Sequence, residues 1–433
     1  MSAQDHTASP PGTTAVTRRA ALGGLAVLTV INLLNYLDRY VLAALLPQIK
    51  ASGLSLSDFE LGTLMTGFII VYLLAAPLFG SLGDRGRRPR LIALGVTLWS
   101  LATAASGLAR SYAQLFIARA AVGVGEAAYG TIAPALLADY FPRTTRGRAF
   151  AVFYMAIPVG SALGYVFGGL AAQAWDWRVA FLLAGLPGLL LAVSVYWLAD
   201  PPRGAQESGA AVAPIAGGMG ATLSLYLTLL RRAPYTLAVL GYAAYTFAMG
   251  GLAFWMPTFL MRARGLPAAQ ATTVFGVVVV ITGFLGTFAG GWLGDLWQKR
   301  SPQAYLWLCG MATLLAVPVA ALALTAPGRE VYYPALIVAE LLLFMSTGPV
   351  NSAIVNLVSP AQRASAMALS VFAIHALGDV VSPSLIGALS DRWSLGAAVL
   401  VVPVAVAASG LLWLAAAVAA RRTGNAGVVS AAH

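Results

Sequence analysis

The chain has 433 residues, of which 59% are hydrophobic and only 9% charged, far below the roughly 25% charged residues of a soluble domain, which excludes an ordinary soluble fold. Its net charge of +11 would suit nucleic acid if the basic residues formed a patch, but they gather at the ends of apolar runs, so no nucleic-acid partner is expected. A single cysteine, Cys309, excludes an intrachain disulfide and a thiolate metal cluster, and neither a cofactor nor a metal is expected.

Residues 1–19 are mostly polar and small and read as a disordered cytoplasmic tail. Arg18 and Arg19 then precede an apolar run that begins like a signal peptide but continues too long and lacks a cleavage context, so it reads as the first membrane helix. Twelve membrane segments are expected, at about 20–47, 58–82, 90–109, 112–139, 147–174, 178–199, 233–261, 270–297, 302–325, 331–358, 364–390 and 395–420. Most hold the roughly 20 apolar residues needed to cross a bilayer, and only helices satisfy their own backbone there. Pro77, Pro134, Pro158, Pro187, Pro257, Pro349 and Pro383 fall within them, as bending points or as ordinary packing features that neighbouring groups repair.

The expected fold is therefore all-α and integral to the membrane: two six-helix bundles, residues 20–199 and 233–420, with a cytoplasmic linker over 200–232 and a cytoplasmic tail over 421–433. Within the linker, residues 219–230 have the composition of a short surface helix. With both termini inside, 17 basic residues flank the inner side against seven on the outer, which places the ends in the cytoplasm and suits a bacterial inner membrane. The halves echo one another. Gly80-Ser-Leu-Gly-Asp84 recurs as Gly291-Trp-Leu-Gly-Asp295, and Ala162-Leu-Gly164 as Ala376-Leu-Gly378, which supports a duplication with parallel halves rocking about a central site.

Polar groups inside the apolar runs mark that site. Segment one carries Asn32, Asn35, Asp38 and Arg39, and segment four carries Arg119 and Glu126, seven positions apart and so near one face. Gly123, Gly125 and Gly130 keep segment four slim. A carboxylate in an alternating cavity can take a proton on one side and release it on the other, whereas arginine keeps its proton and pairs with a carboxylate or an anionic head group. Asp38 and Glu126 are thus the expected proton-coupling residues, with Arg39 and Arg119 as partners or ligand clamps; the alternative is a satisfied ionic network serving assembly. The second half offers Glu340 in segment ten and, in segment eleven, His375 and Asp379 one turn apart, for which a satisfied core histidine is the simpler expectation. Asn351, Tyr245 and Phe254 are expected cavity walls, along with Asn356, Tyr242, Phe247, Trp255 and Phe344.

The run Gly80-Ser-Leu-Gly-Asp84-Arg85-Gly86-Arg87-Arg88-Pro89 links segments two and three and resembles the Gly-x-x-x-Asp-Arg-x-Gly-Arg-Arg signature of the major facilitator superfamily. Trp177-Arg178-x-x-Phe181 is similar to that superfamily as well. Asn35-Tyr-Leu-Asp38-Arg39-Tyr and Arg119-x-x-x-Gly123-x-Gly125-Glu126-Ala127 resemble the first and fourth helices of its Spinster branch. That resemblance spans nearly the whole chain. It implies that Asp38, Arg39, Arg119 and Glu126 line a central cavity and that the cargo is an amphipathic anionic lipid of sphingosine-phosphate or lysophospholipid type.

The expected activity is proton-coupled secondary transport by alternating access, not enzyme catalysis; no nucleophile-elbow, metalloprotease or phosphate-loop motif occurs. Arg39, Arg119, Asn35, Tyr245, Phe254, Asn351 and Glu340 are the expected substrate-binding set, and Gly80, Asp84, Arg85, Arg88 and Asp295 the conformational switch. A small organic anion or drug is the alternative cargo, and an uncoupled scramblase or channel the alternative class. Besides cargo, the expected partners are protons and membrane lipid, and the chain is expected to act as a monomer.

Overall fold

The computed structural model describes residues 16–206, 219–358 and 362–430, and all regular structure among them is helical. Twelve spans are long and apolar enough to cross a membrane. The first half comprises α1 (Arg18–Ala51), α2 (Asp58–Arg85), α3 (Arg88–Gly107), α4 (Tyr112–Tyr140), α5 (Arg143–Ala174) and α6 (Trp177–Tyr196). The linker contributes α7 (Met219–Leu230), where the surface helix was expected.

The second half begins with three unbroken spans, α8 (Ala233–Arg264), α9 (Ala268–Gln298) and α10 (Ala304–Thr325). Its tenth span is broken into α11 (Arg329–Phe344) and α12 (Thr347–Asn356). The eleventh runs from α13 (Arg363–Ile374) through a π-helical turn at His375–Asp379 into α14 (Ser382–Arg392). The last consists of α15 (Leu395–Ala398) and α16 (Val401–Ser430), which carries helix past the expected end at residue 420. The expected disordered tail lies mostly outside the described residues, as do linker residues 207–218.

Local chemistry sets these ends. Thr17 caps α1, and Ser57 with Glu60 forms a reciprocal capping box on α2. Gly265, at φ +68°, ends α8 in the left-handed conformation that a side chain would disfavour. Of the expected proline bends, Pro77, Pro134, Pro158, Pro187 and Pro257 lie inside continuous helices, whereas Pro383 sits at the start of α14, where its missing N–H costs nothing. Leu74, Leu190 and Phe288 project from the outer surface, three-quarters exposed in the isolated chain; hydrocarbon is the solvent that suits them.

Within the first half α1 packs on α5, α2 on α4 and α3 on both α4 and α6; in the second, α16 packs on α8 and α10. The halves meet chiefly where α5 faces α9 and α2 faces α14. These meetings lie toward the end opposite the termini. A side chain at Gly62 would strike the Pro383 backbone, and one at Gly387 would strike the backbone of Asp58 and Phe59, so α2 and α14 touch main chain to main chain. Tyr165 donates its hydroxyl to the Ala253 carbonyl, and Thr66 hydrogen-bonds the Val380 carbonyl and the Ser384 hydroxyl. No hydrogen bond joins the halves at the terminal end among the described residues, so the molecule is closed at the far end and open toward the termini.

Candidate functional site: a caged arginine between two half-bundles

Asp38 and Arg39 are neighbours on α1, and on a helix they point about 100° apart. Each finds a different partner on α4. Asp38 turns into the first half, accepts the Thr103 hydroxyl at 2.7 Å and faces Arg119 Nη1 at 3.4 Å. Arg119 is fully buried, lies 5.7 Å from the Phe181 ring centroid, and has no described partner for Nε or Nη2. Arg39 turns toward the space between the halves and donates Nε (3.0 Å) and Nη2 (2.6 Å) to one oxygen of Glu126. The seven-residue interval between Arg119 and Glu126 spaces the two ion pairs along α4.

The slimness expected of α4 has a use in this arrangement. At Gly123 and Gly125 an added Cβ would collide with the backbones of α2 and α3, and at Gly130 with the Tyr72 hydroxyl. Neighbouring helices therefore approach closely enough to bring Phe68 and Tyr72 of α2 over Arg39. Its guanidinium lies 5.0 Å from the Tyr36 and Phe68 ring centroids and 5.7 Å from that of Tyr72. Such a cage stabilises a cation by roughly 0.5–2 kcal/mol per ring and holds its donors in place. None of the three rings was singled out from sequence, although Tyr36 precedes Arg39 by one helical turn.

Arg39, Tyr36 and Tyr72 form a shared wall between two chambers. The larger, about 200 Å³, lies between the halves and is lined across from Arg39 by Gly250, Phe254, His375 and Asp379. The smaller, about 170 Å³, enters the first half past Asn32 and Asn35 to Glu126. Glu126 Oε1 and Asn35 Nδ2 have no partner among the described residues.

The π turn explains a residue pair that sequence spacing undervalued. It keeps His375 and Asp379 together on the cavity wall, with Nδ1 2.9 Å from Oδ2, and Gly250 of α8 allows Asp379 to sit close. Both side chains remain partly exposed to the cavity, so His375 is a wall residue and not the core histidine expected.

Other expected binding residues lie elsewhere. Arg119 is sealed behind α1, and Tyr245 packs on Trp413 with its hydroxyl on the Leu343 carbonyl. Asn351 donates to the Thr347 carbonyl and the Tyr242 hydroxyl. Glu340 is buried, neither of its carboxyl oxygens has a partner among the described residues, and it touches neither central chamber. Arg39, Asn35 and Phe254 do line the chambers.

The closed end carries a charged cluster that the sequence showed only as scattered flanking residues. Asp58, at the start of α2, accepts Lys50 Nζ (2.6 Å), Arg262 Nη1 (2.8 Å) and the Ser390 hydroxyl (2.6 Å). In return, Asp391 of the second half accepts the backbone N–H groups of Asp58 and Phe59 at 2.8 and 2.7 Å. At the open end the expected switch residues are divided. Asp84 and Arg85 are exposed without a described partner, nothing crowds Gly80, and Asp295 accepts the Tyr305 hydroxyl at 2.7 Å. Arg88 is buried, bonded to Asp139, Asp200 and the Pro201 carbonyl.

Two six-span half-bundles around a central charged chamber, joined at the end opposite the termini, form an architecture that membrane transporters use. Residues 28–383 match the Major Facilitator Superfamily, and the chain belongs to that superfamily of membrane transporters. Its branch is that of the Spinster proteins. The chain is 36% identical over 411 residues to protein spinster homolog 3 of Danio rerio, covering 90% of this chain and 81% of that one. It is also 36% identical over 388 residues to protein spinster homolog 1 of Homo sapiens, covering 85% and 72%. The fold is similar to crystal structures of a bacterial homologue of the human lysosomal transporter Spinster. The inward-facing, unoccupied form gives a TM-score of 0.81 at 23% identity, covering 94% of this chain and 98% of that one. The inward-facing, occupied form gives 0.75 at 23% identity, covering 93% and 96%.

Proposed function

We propose that the chain is a proton-coupled secondary transporter of an amphipathic anion, with a phosphate-bearing lipid such as a lysophospholipid or sphingosine phosphate as its cargo. The observation that carries this reading is the pairing of caged Arg39 with a single oxygen of Glu126 on the wall of the chamber. Arg39 keeps its charge at any physiological pH, so its partner is what can change. A proton on Glu126 frees the guanidinium for an anionic head group, and loss of that proton returns Glu126 to compete for it. Proton and anion are thereby linked in one site.

Asp38, locked by Arg119 and Thr103, serves in this scheme as the anchor that fixes α1 against α4, and Glu126 as the proton carrier. Across the chamber, the Asp379 carboxylate suits the ammonium of a zwitterionic head group. The open terminal side, cytoplasmic by the charge bias, leaves room for an acyl tail. Transport requires the Asp58–Arg262–Asp391 seal to part while the terminal ends close, with Asp84 and Arg85 available to join the halves there.

A small organic anion is the second reading, favoured by the chamber's volume of about 200 Å³, which encloses a head group but not a tail. The deciding experiment compares binding of a lysophospholipid, sphingosine phosphate and a short hexuronate-like anion to purified protein in nanodiscs at two pH values. Saturable lipid binding that strengthens at the lower pH and is lost in Arg39→Ala supports the lipid reading. Binding of the short anion alone overturns it in favour of the second.

A further inference from the structure

A cavity of about 690 Å³ lies apart from the central chamber and exceeds it in volume. It lies within the second half at the terminal end, where the first turns of α8 and α10 meet the last turn of α12 and Ala420 of α16. The first half has its counterpart where the start of α3, the end of α4 and the segment after α6 converge, these being likewise its third, fourth and sixth spans. There the space is filled by Arg88, whose Nη1 lies 2.5 Å from Asp139, Nε 2.8 Å from Asp200 and Nη2 2.5 Å from the Pro201 carbonyl.

The second half has neither the plug nor its carboxylates. α10 opens on Ala304, and α12 ends on Asn356. Two cations stand at the rim instead, Arg231 and Arg232, both exposed. Arg232 Nη1 donates to Gln362 at 3.1 Å, and neither arginine is paired with a described carboxylate. The Asp295 carboxylate is engaged by the hydroxyl of Tyr305, a lining residue. Behind the rim the walls are apolar, including Pro234, Leu306 and Leu357.

The rim also sits at the right depth for a lipid. α7 leads directly into Arg231, contains no charged residue, and leaves Leu227 and Leu230 about half exposed, so it belongs in the membrane interface, at the level of the head groups. We propose that this cavity binds an anionic phospholipid from the leaflet at the terminal end, with its phosphate between Arg231 and Arg232 and an acyl chain along the apolar wall. Basic pockets between spans hold such head groups by charge and hydrogen bonding together. This lipid is separate from the cargo: it rests on the second half alone and ties the linker helix to α8 and α10.

The test is native mass spectrometry of the full chain released from detergent with equal amounts of phosphatidylglycerol and phosphatidylcholine. The unaltered protein is expected to retain phosphatidylglycerol in preference. Each arginine near a membrane surface strengthens such binding about fivefold, so Arg231→Gln with Arg232→Gln weakens it by roughly 30-fold. Both residues are exposed, which leaves folding intact. Asn356→Asp, which supplies the missing carboxylate, is expected to weaken it in the same direction, while Arg39→Ala leaves it unchanged. Unaltered preference in the double variant, loss of it in Arg39→Ala, or displacement by inorganic phosphate at matched concentration would each overturn the proposal.

Discussion

Arg39 gives two hydrogen bonds to Oε2 of Glu126 and none to Oε1, which remains buried without a described partner. An ion pair of this form is strong yet incomplete, and a proton or a ligand donor can occupy the free oxygen without first dismantling the pair.

Glu126→Gln is expected to fix the site in its proton-bound form. Anion binding in the variant should be nearly independent of pH, matching that of the unaltered protein at low pH. Uptake into proteoliposomes should lose its response to an imposed proton gradient. Measuring both in one preparation separates this outcome from misfolding, since binding survives where coupling does not. A variant that still responds to the gradient as the unaltered protein does would remove Glu126 from the proton path.

The second pair should behave as architecture. Arg119→Ala leaves Asp38 buried with only Thr103, and uncompensated burial of one charge costs about 3–5 kcal/mol. Replacing both partners, Asp38→Asn with Arg119→Met, should recover most of that loss. Thermal unfolding in detergent reads the difference as a large drop in Tm for the single change and a small one for the double.

Breaking the far-end seal should shift the conformational balance. Lys50 and Arg262 are 35% and 29% exposed, so solvent already weakens their hold on Asp58, and Asp58→Ala should cost the closed end about 1–2 kcal/mol, a five- to thirtyfold change in population. The natural Cys309 is buried and gives little background, so a reporter at the chamber wall, Ala253→Cys, can be labelled from the far side by a membrane-impermeant maleimide. Faster labelling in the Asp58→Ala background is the expected result, and an equal rate would mean that the cluster does not hold the gate.

Much of the fold was legible because membrane spans announce themselves one at a time. Each needs only its own run of apolar residues, while the break at 200–232 and the echo of Asp84 in Asp295 carried the expectation of two halves. The charged set on segments one and four was legible for the same reason, since a charge in an apolar run stands out. Which carboxylate meets which arginine was not, because adjacent residues on α1 diverge and their partners depend on how α4 is rotated. Glu340 and Tyr245 carried the same signal as Glu126 and Tyr36, yet packing turned them away from the chamber. His375 and Asp379 were visible as a pair, but the π turn that keeps them on the wall, packed against α8, leaves no mark in their spacing. The seal was hidden because Asp58, Arg262 and Asp391 resemble ordinary charges at span ends until three separate helices bring them together.

Asp391 grips two amides at the start of α2 that have no acceptor within their own helix. When the halves part, water can take its place on those N–H groups, so the contact exchanges one hydrogen-bond partner for another with little net change in enthalpy. A latch made this way guides reclosure to one register without creating a deep energy well. For the transport cycle proposed above, the closed posture would then be no trap.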